Sequence, residues 1–411
     1  MLSIFSINDS QSQDFTLLEN LNLIDGTGAK LQAGKSILIA GDTIHQILDS
    51  HESIDIENVV RVDLSGKYLL PGLFDMHVHF ATAPSGNDNL ERTKVRLSKF
   101  LRQGVTGVRD MAGDTRQLAF LARQAALDEI ESPDIYYSAL MAGAFFFDDP
   151  RTAASAKGEV PGATAWMKAI TDDTDIELAV AQAKGTGATG IKIYADLPAH
   201  LSAKVILEAR KQDFLVWAHA SVIPTMPSDL VNAGIHSVSH SPLLAWETAD
   251  KKPENGKQRY NETDLDPKRP EFKALLQSMA VREIFLDPTV KIYKGRTVIY
   301  NNGIMATLAA YKAGVPLVLG TDMSLGRQDI VNFPIIDEMH TWVEAVGIPP
   351  LEVIKAATYN AAQLLKLGDK AGTISVGQKA NLLIVDDNPL EDMKHLMNVY
   401  SVYKNGKRVA K

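Results

Sequence analysis

The segment GLFDMHVHF, residues 72–80, places two histidines, His77 and His79, two positions apart within an apolar run. Side chains at positions i and i+2 of a β-strand point to the same side, so both imidazoles would face one way. Two imidazoles on one face can ligate a single transition-metal ion. The motif is short, however, and two histidines of an ordinary protein core would give the same pattern.

Four further segments end an apolar run with a residue that could bind a metal or exchange a proton. They are GIKIY with Lys192, WAHA with His219, SVSH with His240 and LGTDM with Asp322. A polar group buried without a partner costs free energy, so polar residues at the ends of several strands indicate one shared site. The chain contains no cysteine. Disulfides, thiolate nucleophiles and cysteine-based zinc sites are therefore excluded, and a metal would need histidine, carboxylate or a less usual ligand.

Short apolar strands alternate with amphipathic helical stretches between residues 69 and 367. The eight candidate strands are KYLLPGLFDMHVH, GVTGVRDM, DIYYSALMAG, TGIKIYAD, FLVWAHA, GIHSVSHS, EIFLDPTV and PLVLGTDM. This alternation predicts an α/β fold, a (β/α)8 barrel of the TIM type, in which catalytic residues lie at the C-terminal ends of the strands. Long connections at residues 143–172 and 241–282 would lie on that face, as substrate lids or as solvated insertions.

The two ends of the chain, residues 15–68 and 371–411, are rich in strand and turn signals, and we expect them to pair into one small β-domain. The net charge of −8 over 411 residues argues against a nucleic-acid partner, which usually needs a basic face. The sequence contains no run of about 18 apolar residues, so no membrane helix is predicted. The N-terminal MLSIFSINDSQSQ has no basic n-region. We therefore expect a cytoplasmic protein, with export after removal of a signal peptide as the alternative.

Taken together, these motifs resemble the amidohydrolase superfamily, in particular the binuclear-metal members of its imidazolonepropionase-like and prolidase-like branch. The terminal segments LNLIDGTG and GTISVGQKANLLIVDDNPLED are similar to the flanking β-sandwich of those proteins. The resemblance implies a sandwich domain built from residues 1–68 and 368–411. Residues 69–367 would then form the metal-dependent catalytic barrel.

The resemblance also implies a role for each strand-end residue. His77, His79 and Asp322 would hold the more buried metal, and His219 and His240 the more exposed one. Lys192 would bridge the two ions after N-carboxylation, rather than being an ordinary lysine paired with an acid. Two divalent ions are implied, zinc foremost, although manganese, cobalt, nickel and iron suit the same ligands.

The implied reaction is hydrolysis of an amide C–N bond by a metal-bridging hydroxide. Asp322 would take the proton of this nucleophile and pass it to the leaving nitrogen. Three other readings stay open. They are hydrolysis of an ester, lactone or phosphotriester by the same centre, a mononuclear deaminase or cyclic-amidine hydrolase, and a non-catalytic scaffold.

The substrate is expected to be a small molecule, with an N-acyl amino acid or a dipeptide with an apolar part as the first candidates. After the third strand the chain reads ALMAGAFFFDDPR, without the histidine motif of peptide-cleaving relatives. Phe146 could line an apolar pocket there, and Arg151 or Arg327 could bind a substrate carboxylate bidentately. Asp110 could support a ligand or cap a loop, His236 is interpreted as a polar core residue, and a homo-oligomer is left open.

Overall fold

The computed structural model describes residues 15–49, 52, 54, 56, 58–81, 90–260, 263–324 and 333–410. The strands are β1 (Phe15–Leu23), β2 (Gln32–Ala40), β3 (Thr43–Asp49), β4 (Val59–Asp63), β5 (Tyr68–Pro71), β6 (Leu73–His79), β7 (Val105–Asp110), β8 (Asp134–Gly143), β9 (Met167–Ile170), β10 (Gly190–Ile193), β11 (Leu215–His219), β12 (Ser237–Ser239), β13 (Phe285–Asp287), β14 (Met323–Ser324), β15 (Leu382–Val385), β16 (Val399–Lys404) and β17 (Lys407–Arg408). The α-helices are α1 (Leu90–Arg102), α2 (Thr115–Ala126), α3 (Pro150–Ala156), α4 (Ile176–Gly185), α5 (Ala199–Lys211), α6 (Pro227–Ala233), α7 (Pro270–Val281), α8 (Thr297–Lys312), α9 (Pro334–Thr341), α10 (Pro350–Ala356) and α11 (Tyr359–Leu364).

The central sheet is parallel and has the strand order β13-β12-β11-β10-β8-β7-β6-β14, with β9 added beside β8. Residues 316–319, the predicted eighth strand, close it into a barrel. The amide of Val318 donates to Leu286 O at 2.9 Å on one side, and the amide of Met76 donates to Leu319 O at 2.8 Å on the other. The predicted (β/α)8 barrel is confirmed, and the C-terminal ends of its strands share one rim.

The helices pack around the barrel because each has one apolar face. In α1 the buried positions include Leu97, Phe100 and Leu101, whereas Glu91 and Arg102 are exposed. Helix α4 begins where the side chain of Asp175 accepts a hydrogen bond from Leu178 N at 3.0 Å, which satisfies a free amide of the first turn. No helix within the described ranges is long and apolar enough to cross a membrane.

The second sheet joins strands from both ends of the chain, in the order β17-β16-β15-β5-β1-β2-β3, which confirms the predicted pairing of the ends. Strand β1 changes neighbour along one edge. Residues 15–19 pair with β4, and residues 22–23 pair with β5. Asn20, between these two segments, has a left-handed φ of 62° and lies where the register with β2 shifts. This bulge bends the strand so that one edge serves two neighbours.

The run KYLLPGLFDMHVH belongs to both sheets. Strand β5 pairs with β15 in the terminal sheet, and β6 enters the barrel directly after it. Gly72 separates the two strands, and a Cβ atom there would lie 2.2 Å from Thr106 Cγ2. Glycine is therefore required for the close approach of this junction to Thr106 of β7. The strand that carries His77 and His79 is thus a direct continuation of the terminal sheet.

Candidate metal centre

Five strand ends bring the six predicted site residues together at the rim of the barrel, because His77 and His79 both lie in β6. The imidazole of His77 lies 5.2 Å from that of His79 and 4.9 Å from that of His240, measured between ring centroids. The rings of His219 and His240 are stacked at 4.8 Å. Asp322 reaches the same place, because its Oδ1 lies 3.1 Å from His79 Nε2 and 3.5 Å from His77 Nε2. His77, His79 and Asp322 form a group whose ligand atoms lie within 4.8 Å of one another, which could hold a metal ion.

The Nδ1 atoms of the three most buried histidines have different surroundings, and a hydrogen bond fixes the tautomer of His77. His77 Nδ1 lies 2.6 Å from Asp287 Oδ2, and His240 Nδ1 lies 2.8 Å from Thr289 Oγ1. A carboxylate can only accept, so His77 carries its proton on Nδ1 and offers the Nε2 lone pair to the site. His219 Nδ1 is buried and has no hydrogen-bond partner among the described residues. A bound metal would satisfy this atom.

Burial keeps the imidazoles neutral. Loss of hydration lowers the pKa of His77, His219 and His240 well below the usual value of 6.5, and the neutral ring is the form that binds a metal. We call these residues the three buried site histidines. For Asp322, burial raises the pKa, but the hydrogen bond from His79 and the neighbouring imidazoles outweigh it and lower the pKa below its usual range. The donor set therefore fits a divalent cation.

Lys192 is fully buried, and its Nζ donates to Ser239 Oγ at 3.3 Å. Within the described ranges no acid lies close enough to Nζ for an ion pair. Burial lowers the pKa of the ammonium group to about 7. This shift favours the neutral amine, the form that can add carbon dioxide. The ammonium group is also close enough to the three buried site histidines to contribute to lowering the pKa of each, so Lys192 lies beside the candidate ligands.

Two of the site residues have strained backbones. His240 has a φ of 71° and Asp322 a φ of 55°, a left-handed conformation that non-glycine residues seldom adopt. Asp322 is held there because its amide donates to His77 O at 2.8 Å. Such conformations cost about 1–3 kcal/mol each and concentrate at functional sites.

Sequence reasoning missed Asp287, the last residue of β13. It is fully buried, its Oδ2 contacts His77, and Arg109 Nη2 lies 3.5 Å from the same oxygen. Arg109 is itself fully buried and also donates to Met76 O at 2.7 Å. The signal was present in EIFLDPTV, where an acid ends an apolar strand just as in the other strands of the rim.

Two residues that the sequence left ambiguous have clear surroundings. Asp110 Oδ2 accepts hydrogen bonds from the amides of Phe80 and Ala81, so it caps the loop that follows His79. His236 is mostly buried, and its Nδ1 accepts a hydrogen bond from Val216 N at 3.1 Å. Val216 lies near the start of β11, at the opposite end of that strand from His219.

A cavity of about 230 Å³ opens above His79 and Asp322. Phe146 lines it, with its ring 4.7 Å from that of Tyr194. Arg151 lines it too, but its guanidinium is held by Asp149 through contacts of 3.0 Å, 3.0 Å and 2.6 Å. Arg327 lies outside the described residues. The remaining lining includes a second arginine that the sequence did not single out, Arg259.

Comparison with known proteins identifies the family to which this chain belongs. The model of the amidohydrolase family matches residues 68–409. The chain belongs to the amidohydrolase family. It is 27% identical to ochratoxinase of Aspergillus niger, over 94% of this chain and 84% of that protein. It is 25% identical to imidazolonepropionase of Geobacillus sp. (strain WCH70), over 96% of this chain and 92% of that protein.

Solved structures show the same fold. A Xaa-Pro dipeptidase with bound methionine superposes with a TM-score of 0.75 at 22% identity, covering 97% of this chain and 100% of that one. The crystal structure of A. niger ochratoxinase gives a TM-score of 0.74 at 22% identity, covering 96% and 95%. These relatives are hydrolases acting on carbon–nitrogen bonds, and this amidohydrolase is likewise an enzyme of that class.

Proposed function

We propose that this amidohydrolase uses two divalent metal ions, bridged by N-carboxylated Lys192, to hydrolyse the amide bond of a small molecule. The observation that carries the proposal is the convergence of six residues from five strand ends, namely His77, His79, Lys192, His219, His240 and Asp322. The unpartnered Nδ1 of His219 supports it, because this atom would gain a partner when a metal binds. Lys192 supports it as well, because its buried Nζ donates only to the neutral hydroxyl of Ser239 and has no ion-pair partner among the described residues.

When bound, divalent ions lower the pKa of water and polarise a carbonyl oxygen. The residues of the chain supply the rest. Asp287 holds His77 in the tautomer that presents Nε2, and the contact of Thr289 Oγ1 with Nδ1 fixes the orientation of the His240 ring. Asp322 Oδ1 faces both the imidazoles and the cavity. It can therefore hold the proton released by the nucleophile and deliver it to the leaving nitrogen.

We propose an N-acyl amino acid or a dipeptide with an apolar part as the substrate. The cavity supports this, because Leu140, Phe146 and Met167 provide apolar lining while Arg259 provides a positive charge. The names of the sequence relatives, ochratoxinase and imidazolonepropionase, and of a dipeptidase among the solved structures fit a carbon–nitrogen bond.

The test is reconstitution with zinc, manganese or cobalt, followed by assays on N-acyl amino acids, dipeptides, lactones and phosphotriesters, with metal content measured in parallel. We expect two ions per chain and turnover of amides. Asp322→Asn should keep its fold and lose about 10²–10⁴-fold in kcat, the usual contribution of a positioned acid–base group. Asp250→Asn, an exposed acid with 93% of its side chain in solvent, is the matched control. Near-normal turnover by Asp322→Asn, or one tightly bound ion per chain, would contradict the mechanism.

A further inference from the structure

A buried arginine lies in the cavity without a carboxylate partner in the described part of the chain. Arg259 is only 8% exposed. Its Nη1 donates to Gly256 O at 3.2 Å, and its Nε is buried with no partner among the described residues. The guanidinium lies over the rings of Tyr194 and Tyr260, 5.4 Å and 5.0 Å from their centroids. A buried cation without a counter-ion is costly, so this position is poised to receive an anion.

The backbone around Arg259 is fixed, so the side chain is not a solvated surface group. Arg259 belongs to a 3₁₀ turn, Gly256–Tyr260. The indole Nε1 of Trp246 donates to Arg259 O at 2.7 Å, and the amide of Gly256 donates to Asp196 Oδ1 at 2.7 Å. The turn is thereby tied to the loop that follows β10, the strand of Lys192.

The arginine is close to the proposed reaction centre. The ring of Tyr194 lies 4.4 Å from that of His219 and also underlies the guanidinium of Arg259. One aromatic ring therefore separates Arg259 from the proposed metal site. Asp322, Arg259 and the apolar side chains of Leu140 and Met167 line the same cavity.

We propose that Arg259 binds the carboxylate of the substrate and makes the enzyme selective for amides whose amine half carries a free carboxylate. The inference rests on the proposed function and deepens it, because it names the residue that would select N-acyl amino acids and dipeptides over amides without a carboxylate. A guanidinium can donate two parallel hydrogen bonds to a carboxylate, and the aromatic rings on which it rests keep its plane fixed. Arg151 is less suited, because Asp149 already occupies its donors.

The experiment compares two amides that differ only in the carboxylate: N-acetyl-L-phenylalanine and N-(2-phenylethyl)acetamide. The released amine is measured with the zinc-loaded wild-type enzyme and with Arg259→Gln. We expect the wild type to prefer the carboxylate compound, and we expect Arg259→Gln to reduce the ratio of the two kcat/KM values by about 10²-fold or more, as for loss of one partner of a buried charged pair. Arg259→Lys keeps the charge but not the planar fork and should lose about tenfold. Arg123→Gln, with 70% of its side chain exposed, removes the same charge from the surface and should leave the ratio unchanged.

An unchanged ratio in Arg259→Gln would overturn the assignment, as would collapse of the ratio in Arg151→Gln instead. Hydrolysis of N-(2-phenylethyl)acetamide by Arg259→Gln shows that the variant is folded and metal-loaded. If that variant does not fold, Arg259→Lys decides the question by the same ratio.

If the wild type cleaves neither amide, the amidase proposal fails, and calorimetric titration with the same two compounds still tests carboxylate binding. Tighter binding of N-acetyl-L-phenylalanine that disappears in Arg259→Gln would then support the role of Arg259. Equal binding of both compounds would reject it.

Discussion

Replacing Asp287 by asparagine should separate two roles of one buried carboxylate. Asp287 Oδ2 lies 2.6 Å from His77 Nδ1 and 3.5 Å from Arg109 Nη2, and the residue has no exposed surface. Asparagine keeps the size of the side chain and can still accept a hydrogen bond, but it removes the negative charge. We expect both metal affinity and stability to fall, for different reasons.

The loss of metal affinity follows from the contact with His77. A carboxylate that holds a ligating imidazole makes the ring more basic, and loss of such a partner typically weakens metal binding about 10–100-fold. This corresponds to about 1.4–2.7 kcal/mol, at about 1.36 kcal/mol per factor of ten.

The loss of stability follows from Arg109. Breaking a buried ion pair typically costs about 3–5 kcal/mol, because one charge is left uncompensated. Arg109 keeps two other acceptors, Met76 O at 2.7 Å and Ser237 Oγ at 3.2 Å. We therefore expect the lower end of that range, about 3 kcal/mol.

The assay is zinc competition with a chelator of known affinity, together with denaturant unfolding of the metal-free protein. The double variant Asp287→Asn with Arg109→Met removes the uncompensated charge. It should regain most of the stability but none of the metal affinity. Wild-type affinity in Asp287→Asn, or recovery of affinity in the double variant, would refute the assignment of Asp287 to the orientation of His77.

Three further outcomes are expected. Lys192→Ala should lose bound metal, and short carboxylic acids should restore part of it. The metal content is measured after gel filtration. Two tightly held ions in the absence of such an acid would argue against a bridging carbamate. In the metal-free protein, the three buried site histidines have folded-state pKa values below the unfolded value of 6.5, so the unfolded chain takes up protons first as the pH falls. The contribution of these histidines to the free energy of unfolding is then fully present above pH 6.5 and is lost below it, by about 1.4 kcal/mol per pH unit for each histidine. Urea unfolding between pH 7.5 and 5.5 measures this loss. A free energy of unfolding that stays constant over that range would contradict the prediction. Glu338→Gln should destabilise the protein by about 1–3 kcal/mol in thermal unfolding. The carboxylate accepts hydrogen bonds from the amides of Val290 and Lys291 and from Trp342 Nε1, whereas the amide nitrogen of glutamine cannot accept. An unchanged melting temperature would count against that network.

The barrel and the convergence of the site residues were predictable from the sequence because both depend on local patterns. Apolar strands that end in His219, His240 or Asp322 locate the rim of the barrel without any tertiary information. Asp287 follows the same pattern, but a single acid before a proline also suits a loop. Its role depends on contact with His77, 210 positions away.

Arg259 could not be found in this way. It lies in NGKQRY, within a charged connection whose composition predicts exposure to solvent. It is buried because Trp246 and Asp196 hold the turn against the barrel, and these contacts join separate parts of the chain. Arg151 shows the converse, since its proximity to the cavity was anticipated from sequence but its pairing with Asp149 was not.

The continuity of β5 and β6 through Gly72 has a consequence for engineering this enzyme. The terminal sheet cannot be exchanged as a cassette between relatives, because its strand Tyr68–Pro71 leads directly into the strand of His77 and His79. A graft with a junction at residue 68 would pair β15 with a strand from a different parent. Any change in that pairing would also move β6, which carries the two histidines. A chimera should therefore take residues 68–79 and the strand Leu382–Val385 from the same parent. This holds whether the barrel or the terminal sheet is the part that is exchanged.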